Sequence, residues 1–149
     1  MWVIFEGLDK VGKTTLEWDL HRATNFKNVV IDRGPVGYMV FDKIFDRETE
    51  DGTKEYFKQI EMVNDSEDFM VVYCTVNKEV AKDRLKVHDE KCPYNYEEAQ
   101  KLYKNYVYDF YKNEKIIEVD TTFLSVEECT ELIVKKLKEI VYGKDKKSN

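Results

Sequence analysis

Gly7, Gly12, Lys13 and Thr14, within the stretch FEGLDKVGKTTL, satisfy the spacing G-x-x-x-x-G-K-[ST]. Each residue type has a chemical reason to stand where it does. The glycines let backbone N–H groups curl around a polyphosphate, the lysine reaches its β and γ oxygens, and the hydroxyl that follows ligates Mg²⁺. Val11 and Thr15 complete this candidate phosphate-holding stretch, which implies ATP and Mg²⁺ as cofactors, and Asp9 and Lys10 lie between its two glycines.

A second candidate is DRGPVGY. Asp32 is an acid suited to hold Mg²⁺ through water or to act as a base, and Arg33 is suited to clamp phosphate in a bidentate manner. The competing reading is an ordinary strand-to-helix turn, since Asp, Gly and Pro all favour turns. Further on, Arg84, Lys86, His88 and Lys91 lead from a helical pattern into a loop marked by Pro93, where a lid would bring cations over a transferring phosphoryl group. Arg84 is the favoured contributor, and the alternative is a solvated helix face balanced by Asp83, Asp89 and Glu90. Tyr103, Tyr106 and Phe110 recur at helical spacing, which reads as core packing, whereas one of Tyr38, Phe41 and Phe45 could stack on a base beside Asp32 and Arg33.

The elements that must position these residues follow from periodicity. Apolar runs at residues 2–5, 28–32, 69–76 and 115–119 read as four strands, rich in β-branched residues as strands buried on both faces are. Helical patterns separate them. Leu16 and Leu20 share a face after the glycine loop, and two helices follow the second strand, with the turn-like EDG at 50–52 between them. Asn77 is a candidate N-cap, and both Asn95 with Glu98 and Ser125 with Glu128 have capping-box spacing. Gly143 reads as the stop of the last helix. Strands alternating with helices imply a parallel sheet in an α/β domain.

The length of 149 residues suits one domain, assigned to residues 1–142, with GKDKKSN at 143–149 as a flexible tail. No apolar run approaches the ~18 residues of a membrane span. The chain enters a strand at once without a signal-like segment, so a cytoplasmic location is expected. Cys74, Cys92 and Cys129 are odd in number and lack C-x-x-C spacing, which fits reduced thiols. A net charge of -6 argues against a whole-surface grip on nucleic acid but leaves room for a local basic pocket.

FEGLDKVGKTT, VVIDRG, the NKEVAKDRL helix and the ending IIEVDTTFLSVEECTELI resemble, in that order, segments of thymidylate kinases and the related deoxynucleoside kinases. The resemblance implies a three-layer P-loop kinase fold acting in nucleotide biosynthesis. It implies that Asp9 lies near the acceptor's sugar, that Lys10 is a cation on the γ-phosphate, and that Asp32 and Arg33 contact the acceptor phosphate and metal side. It further sets Arg84 beside the lid, and Asp120 and Thr121 beside the adenine of ATP, and it allows a homodimer. Family members carry a further strand-helix unit where this chain passes from His21 to Asn28 almost directly, so a sheet of about four strands is expected.

Three functions compete at this level. The leading one is an ATP-dependent kinase of a nucleotide, a deoxynucleoside monophosphate such as dTMP being the best guess for acceptor. The second is a 5′-hydroxyl nucleoside or polynucleotide kinase, because the lost unit opens the acceptor side. The third is a nucleotide binder without turnover, against which the joint retention of Lys13, Thr14, Asp32 and Arg33 speaks.

Overall fold

The computed structural model describes residues 1–8, 11–87 and 91–148; the readings placed on Asp9, Lys10 and His88 lie outside them. Val3, Ile4, Phe5 and Glu6 are buried and make β1 (Trp2–Glu6) an inner strand, with Trp2 exposed at its start. It pairs in parallel with β2 (Val29–Asp32) on one side and β3 (Phe69–Thr75) on the other. Strand β4 (Ile116–Asp120) adds to β3, giving a four-stranded parallel sheet in the order β2-β1-β3-β4. Chain order changes direction at β1, so the carboxyl ends of β1 and its neighbours form the crevice where such sheets bind ligands. The register sets Phe5 beside both Asp32 and Val72, and Thr75 beside Asp120.

Helices α1 (Lys13–Ala23) and α6 (Val126–Ser148) pack together, α1 burying Leu16 and Leu20. Helix α2 (Pro35–Ile44) packs against α3 (Glu50–Asp65) and α5 (Tyr96–Phe110). Helix α4 (Lys78–Val87) follows β3. The anticipated caps form: Val80 N–H donates to Asn77 Oδ1 at 2.9 Å and Glu98 N–H to Asn95 Oδ1 at 3.1 Å. Ser125 and Glu128 complete a reciprocal box, at 3.0 and 3.1 Å. Those backbone bonds hold the Glu128 carboxylate below its ordinary pKa.

Two local expectations change. EDG is not a turn but the first turn of α3, because Thr49 Oγ1 accepts from Gly52 N–H at 3.0 Å and Glu50 and Asp51 suit the positive end of the helix. Helix α6 also continues through Gly143 to Ser148, since that glycine has no left-handed φ and the KDKKS that follows can extend a helix. Among the described residues no helix is long and apolar enough to cross a membrane.

Candidate active site

Between β1 and α1 the chain makes the tight return that the glycines allow. Gly7 has φ +143°, and a Cβ there would meet the Cys74 carbonyl oxygen at 2.5 Å; Gly12, at φ +90°, caps α1. Lys13, only 8% exposed, donates from Nζ to the carbonyls of Gly7 at 2.7 Å and Leu8 at 2.9 Å. Its ammonium thus lies across the loop, while the side chains of Thr14 and Thr15 are exposed at the positive end of α1.

Across the crevice, Asp32 ends β2 exposed, and Arg33 takes φ +85°, a left-handed conformation that costs a non-glycine residue. It is fixed nonetheless: its N–H donates to the Phe5 carbonyl at 2.9 Å, and its guanidinium lies 4.1 Å from the centroid of Phe41. Phe41 is therefore buried as the floor beneath Arg33. Tyr38 is exposed and stacks on Tyr56, with centroids 6.2 Å apart. Glu17, one helical turn beyond Lys13, hydrogen-bonds Asp32; burial first and then that carboxylate push the Glu17 carboxyl up to about 8, against the pull of Lys13.

Sequence reasoning missed Glu6. Its carboxylate is fully buried, and each oxygen accepts one backbone N–H and one phenol. Oε1 takes Gly34 N–H at 3.0 Å and the Tyr103 hydroxyl at 2.8 Å; Oε2 takes Gly37 N–H at 3.1 Å and the Tyr111 hydroxyl at 2.7 Å. Burial and the Glu6 charge push the hydroxyl pKa of both Tyr103 and Tyr111 well above the ordinary phenol value. Burial raises the Glu6 pKa while these four donors oppose the rise. The signal that could have found it is an acid ending an otherwise apolar strand, next to Gly7.

At the far end of the crevice Thr121, just past β4, reaches the glycine loop, its hydroxyl donating to the Val11 carbonyl at 2.7 Å with the Thr75 carbonyl as the alternative acceptor at 3.1 Å. Arg84 reaches the same residue, Nη1 donating to Thr121 Oγ1 at 3.3 Å and Nη2 to its carbonyl at 3.2 Å. Asp120 faces elsewhere. Its carboxylate accepts from Thr122 N–H at 2.9 Å and lines a neighbouring depression with Thr75 and Glu118. Lys86 and Lys91 line a separate groove along α4.

A cavity of about 650 Å³ joins these parts. Val11, Gly12, Lys13, Thr14, Thr15, Asp32, Arg33, Arg84 and Thr121 all line it, so a phosphate loop, an acid-arginine turn and an arginine-threonine pair open on one space. The oxygen donors of Thr14 and Asp32 suit a hard cation such as Mg²⁺, which keeps most of its shell as water and ligand phosphate. No group of three or more His, Cys, Asp and Glu residues able to hold a metal occurs among the described residues.

No protein-family model matches the chain, and no curated protein matches it in sequence. Among solved structures it is similar to the YorR protein from Bacillus subtilis, determined in complex with phosphorylated GDP. That match has a TM-score of 0.70 at 20% identity, over 96% of this chain and 98% of the other. It is also similar to deoxyadenosine kinase from M. mycoides, determined with the products dCMP and a flexible dCDP, with a TM-score of 0.60 at 18% identity, over 94% and 100% of the two chains. At these identities the likeness establishes the fold, a three-layer α/β domain of the P-loop kinase type with a parallel sheet of four strands.

Proposed function

We propose that this chain is an ATP-dependent nucleotide kinase whose acceptor is a deoxynucleoside monophosphate such as dTMP. The observation that carries this reading is the shared cavity, which opens the phosphate loop and the Asp32–Arg33 turn to one another. A donor triphosphate on the loop and an acceptor phosphate at Arg33 would then meet in line. The acceptor's phosphate oxygen attacks the γ-phosphorus, the bond to the β-γ bridging oxygen breaks, and ADP departs with the electron pair.

Lys13 exchanges its carbonyl partners for the β and γ oxygens, and Arg33, preset by Phe41 and the Phe5 carbonyl, neutralises charge on the incoming phosphate. Thr14 and Asp32 are the residues that would hold Mg²⁺, which would supply charge neutralisation on the β and γ oxygens. Arg84, tethered to Thr121 beside the loop's Val11 carbonyl, is suited to the base and ribose end of ATP more than to the moving phosphoryl. The family resemblance adds Lys10 as a further cation on the γ-phosphate and Asp9 on the acceptor sugar.

A second reading, a nucleoside acceptor phosphorylated at its 5′-hydroxyl, is favoured by one observation, the likeness to a deoxyadenosine kinase. Mg-ATP incubated with nucleosides, monophosphates and 5′-hydroxyl oligonucleotides, with ADP followed, separates the readings. ADP release dependent on monophosphates is expected. Release with nucleosides or oligonucleotides alone moves the assignment to those acceptors, and tight ATP binding with no turnover on any of them leaves a binding protein.

A further inference from the structure

Glu6 touches none of the cavity, yet it stands where the two halves of the site meet. It directly precedes Gly7, the first glycine of the phosphate loop, and its two oxygens hold Gly34, which directly follows Arg33 and precedes α2, and Gly37 in the first turn of α2. The chain passes so close that neither glycine can be replaced without a shift. A Cβ on Gly37 would lie 2.6 Å from Glu6 Oε1 and 2.5 Å from Arg33 Cγ, and one on Gly34 would lie 2.6 Å from the Tyr111 hydroxyl. Arg33, left-handed just before Gly34, is anchored by this strand end through its own N–H on Phe5 and the next N–H on Glu6.

An uncompensated carboxylate would not survive in such a place, and an apolar side chain would leave the first free N–H groups of α2 without partners. Here the carboxylate takes four donors, the N–H groups of Gly34 and Gly37 and the hydroxyls of Tyr103 and Tyr111. Both phenols come from α5 and its end, Tyr103 from within the helix and Tyr111 from its C-cap. Asn64 of α3 fixes that end, donating to the Phe110 carbonyl at 2.7 Å and accepting from Lys112 N–H at 3.2 Å.

We propose that Glu6 is a positioning residue that couples the phosphate loop at Gly7 to the Asp32–Arg33 turn, so that phosphate binding on the first fixes Arg33 on the second. Its consequence for turnover rests on the kinase reading above; the coupling itself does not. Glu6→Gln is the informative change. Each carboxylate oxygen takes one backbone N–H, so either orientation of the amide sets its NH₂ against Gly34 or Gly37, neither of which can accept.

The test measures two things on wild type and Glu6→Gln. The first is kcat against the Kd of a non-hydrolysable ATP analogue; kcat falls roughly tenfold or more while Kd stays within about threefold. The second is amide exchange in segment 33–41, which the analogue slows in wild type and leaves unchanged in the variant. Wild-type kcat in the variant, equal losses in kcat and affinity, or equal protection of 33–41 in both proteins would each overturn the proposal. Should Glu6→Gln fail to fold, Tyr111→Phe, which leaves the carboxylate and Tyr103 in place, is put through the same measurements with the same expected directions. A wild type that phosphorylates no acceptor defeats the kinase reading alone, and the exchange measurement then decides the coupling.

Discussion

The carboxyl of Glu17 on α1 hydrogen-bonds the carboxylate of Asp32 on β2, a contact between two acids that one shared proton makes favourable. Burial and the Asp32 charge raise Glu17 from 4.5 to about 8, and Lys13 opposes them. A carboxyl whose folded pKa exceeds its unfolded one stabilises the fold fully below about 4.5, and that contribution is lost as the pH climbs through about 8. In metal-free buffer, wild type should therefore lose stability between pH 5 and 8 relative to Glu17→Gln. Because Glu17 is only half buried, the difference should be on the order of 1–2 kcal/mol. Urea titrations at the two pH values measure it, and parallel curves for both proteins would dismiss the shared proton.

Lys13→Ala tests the loop. The ammonium spans the carbonyls of Gly7 and Leu8, whereas the other cations lining the cavity, Arg33 and Arg84, are held over Phe41 and on Thr121. Turnover should fall by roughly 10²–10³-fold, the usual loss when one charge-stabilising donor is removed. Circular dichroism should show the fold retained. An active variant would mean that the cation serving the phosphates lies elsewhere.

Arg33 and Arg84 should separate in kinetics as they do in space. Arg84 holds Thr121 at the β4 end, so Arg84→Ala should raise the KM for ATP with a smaller change in kcat. Arg33 lies on the β2 side over Phe41, so Arg33→Ala should lower kcat and raise the acceptor KM while sparing ATP affinity. Arg33→Lys should not rescue, since a point charge reproduces neither the planar fork nor its stacking. Identical kinetic signatures for the two alanine variants would remove the division of the cavity into donor and acceptor ends.

What the sequence disclosed was local. The order of strands and helices, the shortened sheet, the caps at Asn77, Asn95 and Ser125 and the loop residues Lys13 and Thr14 are each written in fewer than about twenty neighbouring residues. Glu6 was hidden because its phenol partners lie 97 and 105 residues away, and Tyr103 looked like an ordinary core aromatic. Arg84 carried a lid reading because charge spacing says nothing of where a guanidinium finds its acceptor, here the Thr121 carbonyl. Asp120 was read with Thr121 as one unit, yet Asp120 ends β4 and Thr121 opens the turn after it, and of the two only Thr121 lines the cavity.

Gly143 supplies the last test, because the two readings of it predict opposite signs. As a terminal glycine in the left-handed region it would resist a side chain, and alanine there would destabilise. In the structure α6 runs through it to Ser148, its φ is not left-handed, and a Cβ added to it meets nothing within 4 Å. Gly143→Ala should then stabilise by about 0.5–1 kcal/mol, the gain of removing a glycine from a helix interior. Gly37→Ala is the contrast: its Cβ would press on Arg33 Cγ at 2.5 Å, and a loss of about 1–3 kcal/mol is expected from overpacking. Chemical denaturation reads both, and a loss of stability in Gly143→Ala would return the end of α6 to that glycine.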